Sequence, residues 1–353
     1  MLQVGFVPLI DAAPLIIAKE MGFFRQDDLK VQLVRELGWA LIRDKILFGQ
    51  LDAAHAVAGL PFAATLGLGC APYHCVTSFI INLHGNAITV SAELAQHLTD
   101  TGGNLKSYVE RMPNRRKPVF GTVSLFSSHH FLLREWLIRH QVDPDRDVDI
   151  VVVPPPQMPA NLEEGNLSGF CVGEPWNSVA IRRHGGACAS DSMELAYGHP
   201  EKVLMVRAEW AKQRRGEHLL LIRALKKACQ FCQTKETWLE VAAVLSRKEY
   251  LDLPAAMILT SLQGDLGKRF RYSKDPSFHI FSSPTSNCPD EPKAHWVLGH
   301  FQRAGLISMS KSARDYLAKK VFRRNDYEKA TTPPPDYQAH YDKIRSATVS
   351  LSL

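Results

Sequence analysis

Leu83-His84-Gly85-Asn86-Ala87-Ile88-Thr89-Val90-Ser91 is the stretch on which the fold turns. A His-Gly-Asn loop runs directly into a β-branched segment, residues 88–90. Gly85 takes a positive φ at no steric cost, and Asn86 tolerates it better than most residues. Two geometries fit: a hairpin turn inside one sheet, or a joint through which the chain leaves one α/β lobe and enters another. In the second, Asn86 carries its amide, both donor and acceptor, into the cleft between lobes. On this stretch alone both remain open.

Upstream, strands and helices alternate. Residues 3–7 read as a strand, and Asp11 can cap the helix that runs to Gly22. Residues 30–34 form a second strand. Gly38-Trp39 opens a helix with Leu41, Ile42 and Ile46 on one side, and residues 53–57 make a short buried strand. Gly59-Leu60-Pro61 starts another helix, and residues 77–81 return as a strand. This rhythm predicts a largely parallel sheet with right-handed crossovers. Downstream it repeats. Residues 118–121, 150–153, 169–172 and 187–190 read as strands, and Ser127 or Ser128 caps a helix through Leu132 and Trp136. Residues 102–117 read as a helix with a polar surface loop. Residues 203–206 are apolar enough to carry the chain back to the first lobe. From Ala208 the pattern is almost wholly helical, until the Thr331–Pro335 run begins an extended or loose tail.

The chain of 353 residues is longer than one core usually supports, so two domains are expected. A net charge of +6, spread without a long basic block, implies no nucleic-acid partner and suits a small anionic ligand. No apolar run is long enough to span a bilayer, so no membrane association is expected. Met1-Leu2 runs straight into a strand with no charged or apolar leader, which, if Met1 is the native start, points to the cytoplasm. Seven cysteines, most in apolar contexts, fit a reducing compartment, and Cys229-Gln-Phe-Cys232 reads as helix packing. The basic run Lys319-Lys320-Val-Phe-Arg323-Arg324 reads as a solvated helix face or a surface for an acidic partner.

No G-x-S-x-G, H-E-x-x-H, Walker loop or G-x-G-x-x-G occurs, so an enzyme is not expected. His129-His130 do not suit one metal, because adjacent helical residues point about 100° apart. In open α/β sheets, ligands sit beyond the carboxyl ends of strands, at helix N-termini. Four such positions carry donors: Trp39, Asn86, His129 and Lys202. Together they suit a compact monovalent oxyanion, with Lys202 as the single cation. Each also has an ordinary reading, as an apolar anchor, a turn residue or a surface side chain.

The joint, with Asp11-Ala-Ala-Pro-Leu15, Gly38-Trp39, Asp52-Ala-Ala-His55, Val153-Pro-Pro-Pro-Gln157, Phe170-Cys-Val-Gly-Glu-Pro-Trp-Asn177 and Gly198-His-Pro-Glu-Lys202, resembles the nitrate- and bicarbonate-binding proteins of ABC transporters. The resemblance covers roughly residues 3–210. It implies an α/β, two-lobed periplasmic-binding-protein fold of type 2, with a hinge and a helical C-terminal part. Lobe I would then be residues 1–86 and 204–353, and lobe II residues 87–203. It also implies a ligand site drawn from Trp39, Gly85, Asn86, His129, Pro155, Val172, Glu174 and Lys202. Asn86 departs from the family, where glutamine is common. Lysine at 202 resembles the nitrate binders, whereas bicarbonate binders tend to have an acidic residue and a metal there. The ligand implied is nitrate or nitrite, with no metal and no cofactor. Without a leader, the chain looks like the cytoplasmic nitrate/nitrite sensors of the NasS type. By resemblance, such a sensor sequesters an ANTAR-type RNA-binding antiterminator (NasT type) and releases it on ligand binding, controlling nitrate assimilation. The alternative is the nitrate-binding component of an ABC transporter. An enzyme of related fold, such as a thiamine-precursor synthase, would need a reactive loop that the sequence does not offer.

Overall fold

The computed structural model describes residues 1–112, 116–267 and 278–332. The expected loose tail lies mostly outside these residues, as does the middle of the expected loop at 102–117. Two sheets form. The first has six strands in the order β11-β4-β10-β3-β1-β2: β1 (Leu2–Phe6), β2 (Val31–Arg35), β3 (Ala53–Val57), β4 (Cys75–His84), β10 (Pro200–Arg207) and β11 (His279–Ile280). The second has five, in the order β7-β6-β8-β5-β9: β5 (Asn86–Val90), β6 (Val119–Thr122), β7 (Asp149–Val152), β8 (Gly169–Gly173) and β9 (Ala187–Asp191).

The stretch at 83–91 is therefore a joint and not a hairpin. β4 ends at His84 in the first sheet, and β5 begins at Asn86 in the second. His84 and Gly85 both turn through positive φ, at +63° and +94°. A Cβ on Gly85 would lie 2.4 Å from the His279 ring, so glycine is required there for packing as well as for φ. The chain returns to the first sheet at Pro200, a few residues before the apolar run 203–206. Lys202 thus belongs to a strand of the first sheet.

Parallel pairing holds for β1 with β2 and β3, and for β6 with β7 and β8. The sheets are nonetheless mixed. β10 runs antiparallel to β3 and β4, and β5 antiparallel to β8 and β9. These are the strands on which the chain changes sheets. They enter from the opposite end, and that reverses their sense.

The C-terminal part is helical. Helix Arg215–Gln233 presents Leu221, Leu225, Ala228 and Cys232 at helical spacing to the core shared with Ile16 and Ile17. Cys229 and Cys232 are fully buried in that core, as packing residues. Lys319 pairs with Glu291 and Arg324 with Glu328, so the basic run is locally compensated on a solvated face.

The carboxyl ends of β1 and β8 face each other, and the loops beyond them bond. Ile10 N–H donates to the Glu174 carbonyl (2.8 Å), and Trp176 Nε1–H donates to the Pro8 carbonyl (3.0 Å). The lobes are closed on one another. Gly59 of the first lobe sits so near the second that a Cβ would lie 2.0 Å from the Phe126 carbonyl oxygen; within its own lobe it would lie 2.9 Å from the Phe301 ring. Its φ of −81° suits any residue. Gly59→Ala should therefore hold the lobes apart, with the loss of melting temperature limited to what the Phe301 ring must give, and small-angle scattering should record a larger radius of gyration. An unchanged radius would mean that the Phe126 loop yields instead.

Candidate functional site: a buried donor cluster at the lobe junction

Lys202, fully buried, lies at the irregular start of β10. The pairing register with β4 shifts on both sides of it. Such irregularity re-aims side chains, and here neighbours in sequence meet. The ammonium donates to Glu201 Oε1 (2.5 Å) and to Asp11 Oδ2 (2.6 Å). Asp11 does not cap the helix Ala13–Glu20, as its sequence position predicts. Its other oxygen meets His55 Nε2 at 2.8 Å. Glu201 Oε2 accepts from Asn86 Nδ2 (2.5 Å) and from Ser128 Oγ, with His199 Nε2 at 3.3 Å. The two candidate caps at 127 and 128 divide: Ser127 Oγ caps the helix Ser128–Arg139, accepting from His130 N–H, while Ser128 turns to Glu201.

The single cation expected from the sequence is thus not an isolated one. Two carboxylates share it. Burial raises the pKa of Asp11, but the charge of Lys202 and the hydrogen bond with His55 outweigh this and hold it below the usual range. Burial likewise opposes ionisation of Glu201, yet Lys202, His129 and His199 hold its pKa well below normal. Lys202 is held above its normal value because Asp11 and Glu201 outweigh its desolvation. The imidazoles behave oppositely: burial depresses His55, and it depresses His129 to about 4 despite Glu201 nearby.

The donors that remain are instructive. Trp39 Nε1 and both ring nitrogens of His129 are buried without a hydrogen-bond partner among the described residues. His129 Nε2 stands 3.4 Å from Glu201 Oε1. The Lys202 ammonium lies 5.4 Å from the centre of the Trp39 ring, and only two of its donors are engaged with Asp11 and Glu201. Trp39, opening helix Trp39–Leu47, also walls a cavity of about 440 Å³, lined from one lobe by Gly38 and Leu60 and from the other by Val123, Phe126 and Pro154.

Of the eight site residues read from the sequence, Trp39, Asn86, His129 and Lys202 meet in this cluster. Four do other work in the structure. Gly85 is hinge backbone, its carbonyl accepting from Glu174 N–H (3.1 Å). Glu174 is buried with its pKa raised, and its carboxylate accepts from Ser178 N–H (3.3 Å). Val172 joins the apolar cluster that holds Trp39 and Leu9, and its carbonyl accepts from Asn177 Nδ2 (2.8 Å). Pro155 has no N–H, and its carbonyl takes the Met158 N–H. Sequence reasoning missed Asp11, His55, Ser128 and Glu201 as members. One signal was available: Asp11 and Ser128 lie in the segments that follow parallel strands, as Trp39 does, whereas His55 sits in the middle of β3. The neighbouring histidines at 129 and 130 diverge, His130 stacking edge-on to Phe131.

Two α/β lobes on two sheets, crossed twice by the chain and closed over a buried polar cluster, define the periplasmic-binding-protein fold. The chain belongs to the NMT1-like family, whose model matches residues 1–246. It is 31% identical over 89% of its length to the nitrate/nitrite binding protein NrtA of Synechococcus elongatus, covering 74% of that protein. It is 38% identical over 88% of its length to the nitrate import ATP-binding protein NrtC of Synechocystis and 35% identical over 87% to the bicarbonate transport ATP-binding protein CmpC of Synechococcus elongatus. The chain spans about half the length of these last two (47% and 45%). The crystal structure of the periplasmic nitrate-binding protein NrtA from Synechocystis superposes with a TM-score of 0.88 at 27% identity, over 95% of this chain and 90% of that one.

Lys202→Ala should leave two carboxylates buried together without a cation. Breaking such a group costs about 3–5 kcal/mol, which chemical denaturation will read. A loss under 1 kcal/mol would show that water reaches the cluster. Stability should also fall with acid. His129, His218 and His279 titrate at about 4 in the fold, below the ordinary 6.5, because burial disfavours their charged forms. The unfolded chain therefore takes up protons first. Stability is full above pH 6.5 and declines toward pH 4, by up to ~1.4 kcal/mol per pH unit for each histidine. A flat denaturation profile between pH 7 and 5 would contradict these values.

Proposed function

We propose that the chain binds nitrate or nitrite between its lobes and serves as a cytoplasmic sensor. In this reading it sequesters an ANTAR-type RNA-binding antiterminator and releases it when the anion binds. The observation that carries anion binding is the set of buried donors at the junction. Among the described residues Trp39 Nε1 and the His129 ring lack partners, and Lys202 keeps a donor beyond those that Asp11 and Glu201 take. A small planar oxyanion can accept from all three. Likeness to proteins named for nitrate and nitrite supports this ligand and a solute-binding role.

Regulation follows from closure. A ligand held by both lobes favours the closed form by its differential affinity for the two forms. A partner that prefers the open form must then bind more weakly, and the anion must bind more weakly to the complex. The seven cysteines are free, which agrees with a reducing compartment. No helix among the described residues is long and apolar enough to cross a membrane.

A second reading is the anion-binding component of an ABC importer. It is favoured by relatives whose names are those of transporter subunits, of which this chain matches about half. Binding to the antiterminator separates the two. Calorimetry should show one saturable site for nitrate and nitrite, with sulfate far weaker. Size-exclusion chromatography should show a complex with the antiterminator that either anion dissolves. A complex unchanged at saturating nitrate and nitrite sinks the sensor role but leaves the anion site intact.

A further inference from the structure

The charge balance at the junction has a consequence for what can enter it. Asp11 and Glu201 are held ionised, Lys202 supplies one positive charge, and His55 and His129 are held neutral. These five groups, each at most 1% exposed, sum to one negative charge, with His199 beside Glu201 counted apart from them. Glu201 moreover occupies the donors of Asn86 and Ser128 and one of Lys202, in the way a bound oxyanion would. An incoming anion adds a second negative charge to a volume from which water is excluded, where interactions between charges are strong. One group at the junction is placed to answer it. Among the described residues His129 has no hydrogen-bond partner at either ring nitrogen, and its Nε2 stands 3.4 Å from Glu201 Oε1.

We propose that the site takes its anion together with one proton, that His129 receives the proton, and that Glu201 makes the proton necessary. This rests on the anion reading above and deepens it. Binding places the oxyanion and Glu201 on the same imidazole, so the charged form of His129 is stabilised only when the ligand is present. The proton comes from solvent, and no covalent bond forms or breaks beyond N–H. The charged or titratable groups that face His129 are Glu201, Lys202 and His199 from β10 and the turn before it, and Asp11 from the loop after β1. His199 is the competing acceptor. Its Nδ1 lies 2.8 Å from the Ala196 carbonyl and its Nε2 3.3 Å from Glu201, so both its nitrogens face acceptors and a second proton on this ring would be held at both ends; the two histidines are told apart by their variants.

Selectivity follows from the same balance. A monoanion is neutralised by a single proton on one imidazole, whereas a dianion such as sulfate needs two. Glu201 is in this sense a specificity-determining residue, since it sets the negative background against which every ligand is measured.

The test is titration calorimetry of the full chain with nitrate, repeated in buffers of different ionisation enthalpy and from pH 6 to 8. The observed enthalpy should vary with the buffer, reporting uptake of about one proton near neutral pH, and affinity should fall roughly tenfold per pH unit as pH rises. His129→Gln keeps an N–H donor but cannot titrate. It should bind more weakly at pH 6 and lose both the buffer dependence and the pH slope. His199→Gln should retain them. Saturable nitrate binding with a buffer-independent enthalpy overturns the inference and leaves the anion site standing. Proton uptake that survives in His129→Gln overturns the assignment to His129. If that variant does not fold, the wild-type buffer series alone decides whether a proton enters. No binding of nitrate or nitrite at any pH overturns the anion site and this inference together.

Discussion

One ammonium and two carboxylates meet where water does not reach, and the junction depends on them. Moving each of these charges out of water costs several kcal/mol, and their mutual attraction offsets this only when every remaining donor and acceptor is also engaged. That condition accounts for the neighbours. His55 completes Asp11, and Asn86, Ser128 and His199 complete Glu201. Lys202 and Asp11 come from the first lobe, Asn86 and Ser128 from the second. The network therefore closes only when the lobes do, and it makes the closed form depend on electrostatic bookkeeping at a single point.

The hinge is arranged to protect that dependence. Gly85 lets the chain change sheets beneath the His279 ring, and its carbonyl is taken by the Glu174 N–H, while the Glu174 carbonyl takes the Ile10 N–H. Glu174 thus links both lobes and the hinge through its backbone, whatever its carboxylate does. Trp176 adds a bond to Pro8 on the same side. Such short loops bonded end to end favour a rigid-body rotation over local unfolding.

Recognition by such a site differs from recognition by a simple basic pocket. The cation is committed before any ligand arrives, so neutral donors and an imidazole that can change charge must do the discriminating. Neutral donors set geometry, and the imidazole sets charge. The family to which the chain belongs, and its likeness to NrtA, support the anion reading without saying how this chain balances its charges. Two carboxylates around one lysine make that balance legible.

Read without its structure, the sequence already determined the alternation of strands and helices and the helical C-terminal part; it marked Gly85-Asn86 as a turn, joint or hairpin, and singled out Trp39, Asn86, His129 and Lys202, which the fold brings together. These are properties of local order. Period, glycine conformation and position at a strand end are set by neighbours in the chain. It did not determine that β5 and β10 run antiparallel, because strand sense depends on which sheet a strand joins. Nor did it reveal that Asp11 abandons a helix cap for His55 and Lys202, or that Glu201 gathers Asn86, Ser128 and Lys202. Asp11 and Lys202 are 191 residues apart in sequence and 2.6 Å apart in space. Only tertiary folding brings them together. With them comes the sign of the charge at the site, because a lysine's partners, and not its presence, decide what field a ligand meets.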